Sequence, residues 1–212
     1  MLSFESVGRL FRGGSGVQNL TFSVMPSEIV ALVGLNGAGK TTLMRLALGM
    51  IRPQQGAIRI FGSSLGKISA KVWAQVGVLV EVPFAYPELS VRQNLRAACL
   101  MHQGRLERVD KMIAMWGLDL VADKKFRLLS QGNQQRVGLA ASLQHDPRLI
   151  LLDEPSNSLD PASVILLREE LIKRAEAGAA ILVPELHSGL WFWWVWLWVS
   201  WGFRVFFGFL SY

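Results

Sequence analysis

Two stretches of this chain hold residue types at spacings suited to phosphate chemistry. The first, Gly34-Leu35-Asn36-Gly37-Ala38-Gly39-Lys40-Thr41-Thr42, fits G-x-x-x-x-G-K-[ST]. It follows a continuous apolar run at residues 29–33 and opens a segment, 40–48, whose apolar residues pair at helical spacing: Leu43 with Ala47 and Met44 with Leu48. Strand, glycine-rich turn and helix are the frame such a loop needs. Glycines let the backbone turn tightly enough for its N–H groups to surround the β-phosphate of ATP, and the helix points its positive dipole end at the same anion. Lys40 reaches the β- and γ-phosphates, and the Thr41 hydroxyl is a hard oxygen ligand for Mg²⁺. The candidate nucleotide-binding residues here are Gly34, Asn36, Gly37, Ala38, Gly39, Lys40, Thr41 and Thr42.

The second stretch is Leu149-Ile150-Leu151-Leu152-Asp153-Glu154, an apolar strand that ends in two carboxylates. At that end Asp153 can hold Mg²⁺, usually through water, and Glu154 can orient and polarise an attacking water. An Asp-Glu pair after a strand is also an ordinary turn. Its pairing with the phosphate loop is what makes it a candidate metal and catalytic site.

The elements that must position these groups are legible as pattern. Alternation at residues 2–7 and 20–24 predicts two half-buried strands, a small antiparallel N-terminal part. Further strands are expected at 29–33, 57–61, 76–80, 149–152 and 180–183, with helices at 40–48, 131–144 and 163–176. The stretch 87–129 reads as mostly helical, Ser130 as an N-cap, and Asp146-Pro147 as a stop. The fold class is therefore α/β: a mainly parallel sheet covered on both faces, a P-loop NTPase arrangement, with a helical subdomain inserted at about 87–145.

At Leu129-Ser130-Gln131-Gly132-Asn133-Gln134-Gln135-Arg136 the chain resembles the ABC ATPase family, whose signature reads LSGGQ followed by QQR. Ser130 and Gly132 match, while Gln131 and Asn133 depart. The resemblance spans about residues 1–183. It implies that Ser130 and Gly132 face the γ-phosphate held by a second protomer, and that Asp160, in Ser156-Asn157-Ser158-Leu159-Asp160-Pro161, lies at the dimer contact. Phe11 stands where the family stacks an aromatic ring on adenine; its other reading is a packed strand-end phenylalanine. Glu81 stands where the family usually has glutamine. There it either contacts water or Mg²⁺ or is a solvated loop acid, and it adds negative charge beside Asp153 and Glu154. A similar I-G-x-L-x-E-x-P run marks exporters of the bacitracin- and multidrug-resistance kind, so export is the implied direction. His187, 33 residues beyond Glu154, has the spacing of the family's switch histidine but follows Pro184-Glu185-Leu186 in place of the usual hydroxyl residues, so a chance histidine is the other reading. His102 and His145 carry no such implication.

Composition bounds the rest. Hydrophobic residues make up 51% and charged residues 18% of the 212, with a formal net charge of +6. Lys and Arg are scattered, without a basic stripe interleaved with aromatics, so no nucleic-acid partner is expected. The single cysteine, Cys99, suits a reducing cytosol, and the polar start MLSFESVGRL does not read as a signal peptide. Beyond Val183 only Glu185 and Arg204 are charged, and residues 190–201 hold six of the eight tryptophans. The uncharged run at 188–203 is 16 residues, short of the roughly 20 that a spanning helix needs. Residues 1–188 are thus read as the ATP-binding domain, and 189–212 as a Trp-rich tail from a shifted frame or truncated gene that does not complete the domain.

The expected protein is a cytoplasmic ATPase, peripheral on the inner face of the membrane. It would form a homo- or heterodimer and drive a separate integral-membrane permease, with ATP and Mg²⁺ as cofactors. The alternatives are a nucleotide-binding remnant with little turnover, or an ABC ATPase outside transport. Against the latter, only 90 residues separate Lys40 from Ser130, leaving no space for the long coiled-coil insert of DNA-repair members.

Overall fold

The computed structural model describes residues 1–34, 37–81, 83, 85–184 and the backbone of 204–206. Two sheets share the work. An antiparallel sheet has the order β2-β1-β4-β5, formed by β1 (Leu2–Leu10), β2 (Gly16–Val24), β4 (Gln55–Ile60) and the short β5 (Ser63–Ser64). A second sheet, parallel at every pairing, has the order β6-β7-β8-β3-β9, from β3 (Ile29–Leu32), β6 (Val76–Leu79), β7 (Leu149–Leu152), β8 (Ala180–Pro184) and β9 (Arg204–Phe206). The expected α/β class, with its N-terminal antiparallel part, is what the chain adopts.

The two faces of the parallel sheet explain its apolar runs. All four residues of β7 are fully buried, each contributing about 1.5–3 kcal/mol by leaving water. Successive side chains point to opposite faces. Ile150 and Leu152, with Ile181 and Val183, join a core shared with α3 (Val91–Met101), α4 (Arg108–Met115), α5 (Gln131–Leu143) and α6 (Pro161–Glu176). Leu149 and Leu151, with Ala180 and Leu182, join a second core with α1 (Lys40–Ala47) and the antiparallel sheet. A strand covered on both sides has no polar face to show, hence the lack of alternation.

Between β6 and β7 the chain runs through α3, α4 and α5, the helical insertion that the sequence predicts. Ser90 caps α3 in a capping box with Gln93, and Ser130 caps α5 as expected. Several elements differ from the expected pattern, among them β2, which begins at Gly16, and β4, which begins at Gln55. β1 continues past Val7 to Leu10 because register shifts on either side of Val7 break the alternation there. A short α2 (Ala70–Trp73) precedes β6. The helix expected to begin at 163 begins at Pro161, with Asp160 as its cap and proline in its first turn. Of the Trp-rich tail, only Arg204–Phe206 falls within the described residues, pairing in parallel with β3; the rest of 189–212 lies outside them.

Candidate functional site

The phosphate loop bridges β3 and α1. Gly37 and Gly39 have φ of 85° each, the left-handed region in which a Cβ is strained. At Gly39 a Cβ would also lie 2.7 Å from the Gly16 carbonyl oxygen and 2.9 Å from the Val17 side chain, so the loop lies directly against the start of β2. Gly39 is the residue before α1 and no side chain caps that helix, which leaves its first N–H groups available to an anion. Lys40 donates from Nζ to the Gly34 carbonyl, folding its ammonium back over the loop. Asn36 lies outside the described residues.

β7 delivers the acids to the same place. The backbone N–H of Asp153 donates to the Leu79 carbonyl at 2.7 Å, locking the strand end beside β6. Asp153 is buried, with the Thr41 hydroxyl of α1 near enough to favour its charged form. Burial pushes the Asp153 carboxyl above its ordinary value, and the charges of Glu154 and Glu81 act in the same direction; Thr41 and Lys40 oppose them. Its Oδ1 atom is buried with no hydrogen-bond partner among the described residues. An orphaned carboxylate oxygen beside a threonine hydroxyl suits a hard divalent cation completed by oxygens from outside the protein. No group of three His, Cys, Asp or Glu among the described residues could hold a metal unaided. Thr41 and Asp153 thus fit Mg²⁺ as partial ligands.

Glu154 follows in a left-handed conformation, φ 45°, and is exposed. Asn157 fixes it, donating from Nδ2 to Oε2 at 2.5 Å. Glu81, just past β6, is also left-handed, φ 67°, and is gripped by Arg45 of α1 through both Nε and Nη2. The fold therefore gathers Lys40, Thr41, Asp153, Glu154 and Glu81 at the C-terminal ends of β3, β6 and β7, where open α/β sheets bind ligands.

Ser130, Gly132 and Asp160 gather elsewhere, at the starts of α5 and α6. Ser130 Oγ accepts from the Asn133 N–H at 3.4 Å. A Cβ on Gly132 would come 2.8 Å from the Ser158 carbonyl oxygen, so these two loops touch through backbone. Asp160 accepts from the Ser163 N–H at 2.9 Å and pairs with Arg136 of α5; the Ser163 bond first, then Arg136, holds its carboxyl below the ordinary range. Gln135 donates to the Pro155 carbonyl at 3.0 Å, tying α5 to the turn after Glu154. Phe11 lies in the turn between β1 and β2, whose far end at Gly16 abuts the phosphate loop; it is exposed, with the Arg9 guanidinium 5.3 Å from its ring centre. His187 lies outside the described residues.

Comparison with known proteins decides what this arrangement belongs to. The family model described as ABC transporter matches residues 17–157, well over half of the chain. The chain belongs to the ABC transporter family. Similar ABC transporter chains include the "Uncharacterized ABC transporter ATP-binding protein YhcH" of Bacillus subtilis, 36% identical over 87% of this chain and 61% of that protein. The bacitracin transport ATP-binding protein BcrA of Bacillus licheniformis is 35% identical over 76% of this chain and 53% of its own length. The SkfA peptide export ATP-binding protein SkfE of Bacillus subtilis is 35% identical, covering 89% of this chain and 79% of that protein. A solved ATP-binding subunit of an ABC transporter superposes with a TM-score of 0.81 at 27% identity, covering 88% of this chain and 80% of that one. The chain spans about three-fifths of the length of YhcH.

Within the ABC frame, three residues at the site escape a reading of the sequence alone. Arg45 lies four residues after Thr41, one helical turn along the same face, a spacing that would have placed it beside the loop. Asn157 lies three residues after Glu154, within reach once the turn is left-handed. Arg9, two residues before Phe11, carries no signal apart from strand alternation. Among the described residues no helix is long and apolar enough to cross a membrane.

Proposed function

We propose that this ABC chain binds and hydrolyses Mg·ATP as one half of a dimer whose closing and opening drive a separate permease. The observation that carries the reading is the buried, orphaned Asp153 oxygen near Thr41, at the mouth of a glycine loop with Lys40 folded over it. Lys40 and the loop N–H groups bind the β- and γ-phosphates, and Thr41 and Asp153 hold Mg²⁺. When bound, the cation neutralises phosphate charge. Glu154, held by Asn157, orients and polarises the attacking water. Phe11 stacks on adenine, Ser130 and Gly132 face the partner's γ-phosphate, and His187 senses it.

Transport names among the relatives, bacitracin transport and SkfA peptide export, favour export as the direction. The setting is then the cytoplasmic face of the membrane, beside a permease. The test is trinitrophenyl-ATP binding together with sedimentation of Glu154→Gln. Binding by wild type and an ATP-bound dimer of the variant are expected. Binding by a variant that stays monomeric at every concentration would remove the dimer from the account, and no binding by wild type would remove the nucleotide site.

A further inference from the structure

The site holds more negative charge than its chemistry uses. Asp153 and Glu154 each have a task in the proposed reaction, whereas Glu81 adds a third carboxylate close enough to act on Asp153. A free carboxylate there repels a triphosphate. Glu81 is not free: Arg45 donates to its Oε1 from Nε and Nη2, a side-on grip that a point charge could not reproduce. Arg45 rises from α1 one turn beyond Thr41, and Glu81 ends the stretch leading out of β6 with φ 67°. The pair therefore links the phosphate-loop helix to the start of the helical insertion. Both side chains are 41% exposed, so the pair is a surface one, and surface pairs add little to stability. Its effect is felt where it sits, on the charge presented to the ligand.

We propose that Arg45 is a positioning residue: it holds the Glu81 carboxylate against α1 and cancels its charge, letting an acid stand beside the triphosphate. This rests on the nucleotide-site reading above. It predicts that the influence of Arg45 on nucleotide binding passes through Glu81. With Arg45 removed, Glu81 is released and faces the phosphates with its full charge; with Glu81 neutralised, Arg45 has nothing left to restrain.

The experiment is a double-mutant cycle of Arg45→Ala and Glu81→Gln, reading trinitrophenyl-ATP affinity in EDTA, where no cation masks the repulsion. Arg45→Ala is expected to weaken binding about threefold to tenfold when Glu81 is intact, the scale of one unscreened charge at close range in a solvated site. In the Glu81→Gln background the same substitution is expected to change affinity by less than about twofold. Arg45→Lys retains charge without the two-nitrogen grip and should fall between wild type and Arg45→Ala. Thermal unfolding without nucleotide should be alike for all four members of the cycle, since a structural role would lower it. Equal losses in both backgrounds mean that Arg45 touches the nucleotide directly and overturn the proposal. A fall in unfolding temperature that Glu81→Gln does not relieve overturns it as well. If wild type binds no nucleotide, the site reading fails and the inference fails with it; if wild type binds and the cycle is additive, only the role of Arg45 falls.

Discussion

Asp153 and Asp160 are two aspartates on consecutive turns of the chain, and they are built in opposite ways. Asp153 closes β7, is buried, and keeps one oxygen without a partner; burial raises its carboxyl. Asp160 opens α6, is half-exposed, and has both oxygens engaged by Ser163 and Arg136, which lower its carboxyl. An acid whose hydrogen-bonding capacity is filled by its own chain is part of the architecture. An acid left incomplete in a dry place is held there at a cost, and in this fold the incomplete one faces the phosphate loop. In the proposed reading the difference separates an acid that meets a ligand from one that caps a helix of its own chain, and it can be attacked from both sides.

The largest expected effect comes from the cation that Asp153 faces. Lys40→Ala should weaken ATP binding by roughly a hundredfold or more, since a charge-assisted contact to phosphate is lost in a partly buried site. A calorimetric titration with unchanged affinity would remove the phosphate loop from the account.

The stacked histidines supply a control. His102 and His145 lie ring on ring with centroids 3.9 Å apart, and both Nδ1 atoms are buried without partners among the described residues, as Asp153 Oδ1 is. They sit away from the phosphate loop, with His145 Nε2 against the Val76 carbonyl at 3.3 Å and Asp146 and Arg174 nearby. Burial first, then the charge of His102, pushes His145 down to about 4. The unfolded chain then takes up its proton near pH 6.5 while the folded chain does not until about 4. Stability should therefore be full above about 6.5 and fall by about 2–3 kcal/mol as pH drops towards 4. Urea unfolding across this range measures it, and His145→Gln should flatten the slope. If that substitution also changed ATP affinity at pH 7.5, an unpartnered buried atom would not distinguish a ligand site from a packed pair.

Asp153→Asn sharpens the contrast. Without nucleotide it should leave the protein as stable or more stable by about 1 kcal/mol, because a costly buried charge is gone. With ATP, the stimulation of binding by Mg²⁺ should fall by about tenfold. Opposite signs in the two assays mark a ligand-facing acid, and a plain loss of stability would make Asp153 structural. The smallest effect is at Asp160: Asp160→Ala should cost about 1 kcal/mol as a lost helix cap, Asp160→Asn much less, with nucleotide affinity of the monomer unchanged in both. Loss of affinity in the monomer would erase the distinction between the two aspartates.

What the sequence reveals follows from distance along the chain. The phosphate loop is contiguous, so Gly37, Gly39 and Lys40 carry their meaning in order, and the strand before them is apolar because both faces are buried. Ser130 is legible as a cap because caps are local. Asp160-Pro161 carries an equally local helix-start signal, yet the resemblance to a dimer-contact loop gives those residues another role, and the expected helix starts late. The Arg45–Glu81 pair joins residues 36 apart, and no spacing rule reaches that far. β1 runs longer than its alternation because register shifts move side chains off the period of two.

The central claim is that Asp153 and Glu154, set against Lys40 and Thr41, form a site that hydrolyses Mg·ATP. Phosphate release by the purified chain, beside Glu154→Gln under identical Mg·ATP, tests it most directly. Wild type should release phosphate in a reaction that EDTA stops. The variant should bind ATP with similar affinity and turn over about a hundredfold or more slowly. Equal rates in the two proteins, or release that continues undiminished in EDTA, would contradict the account.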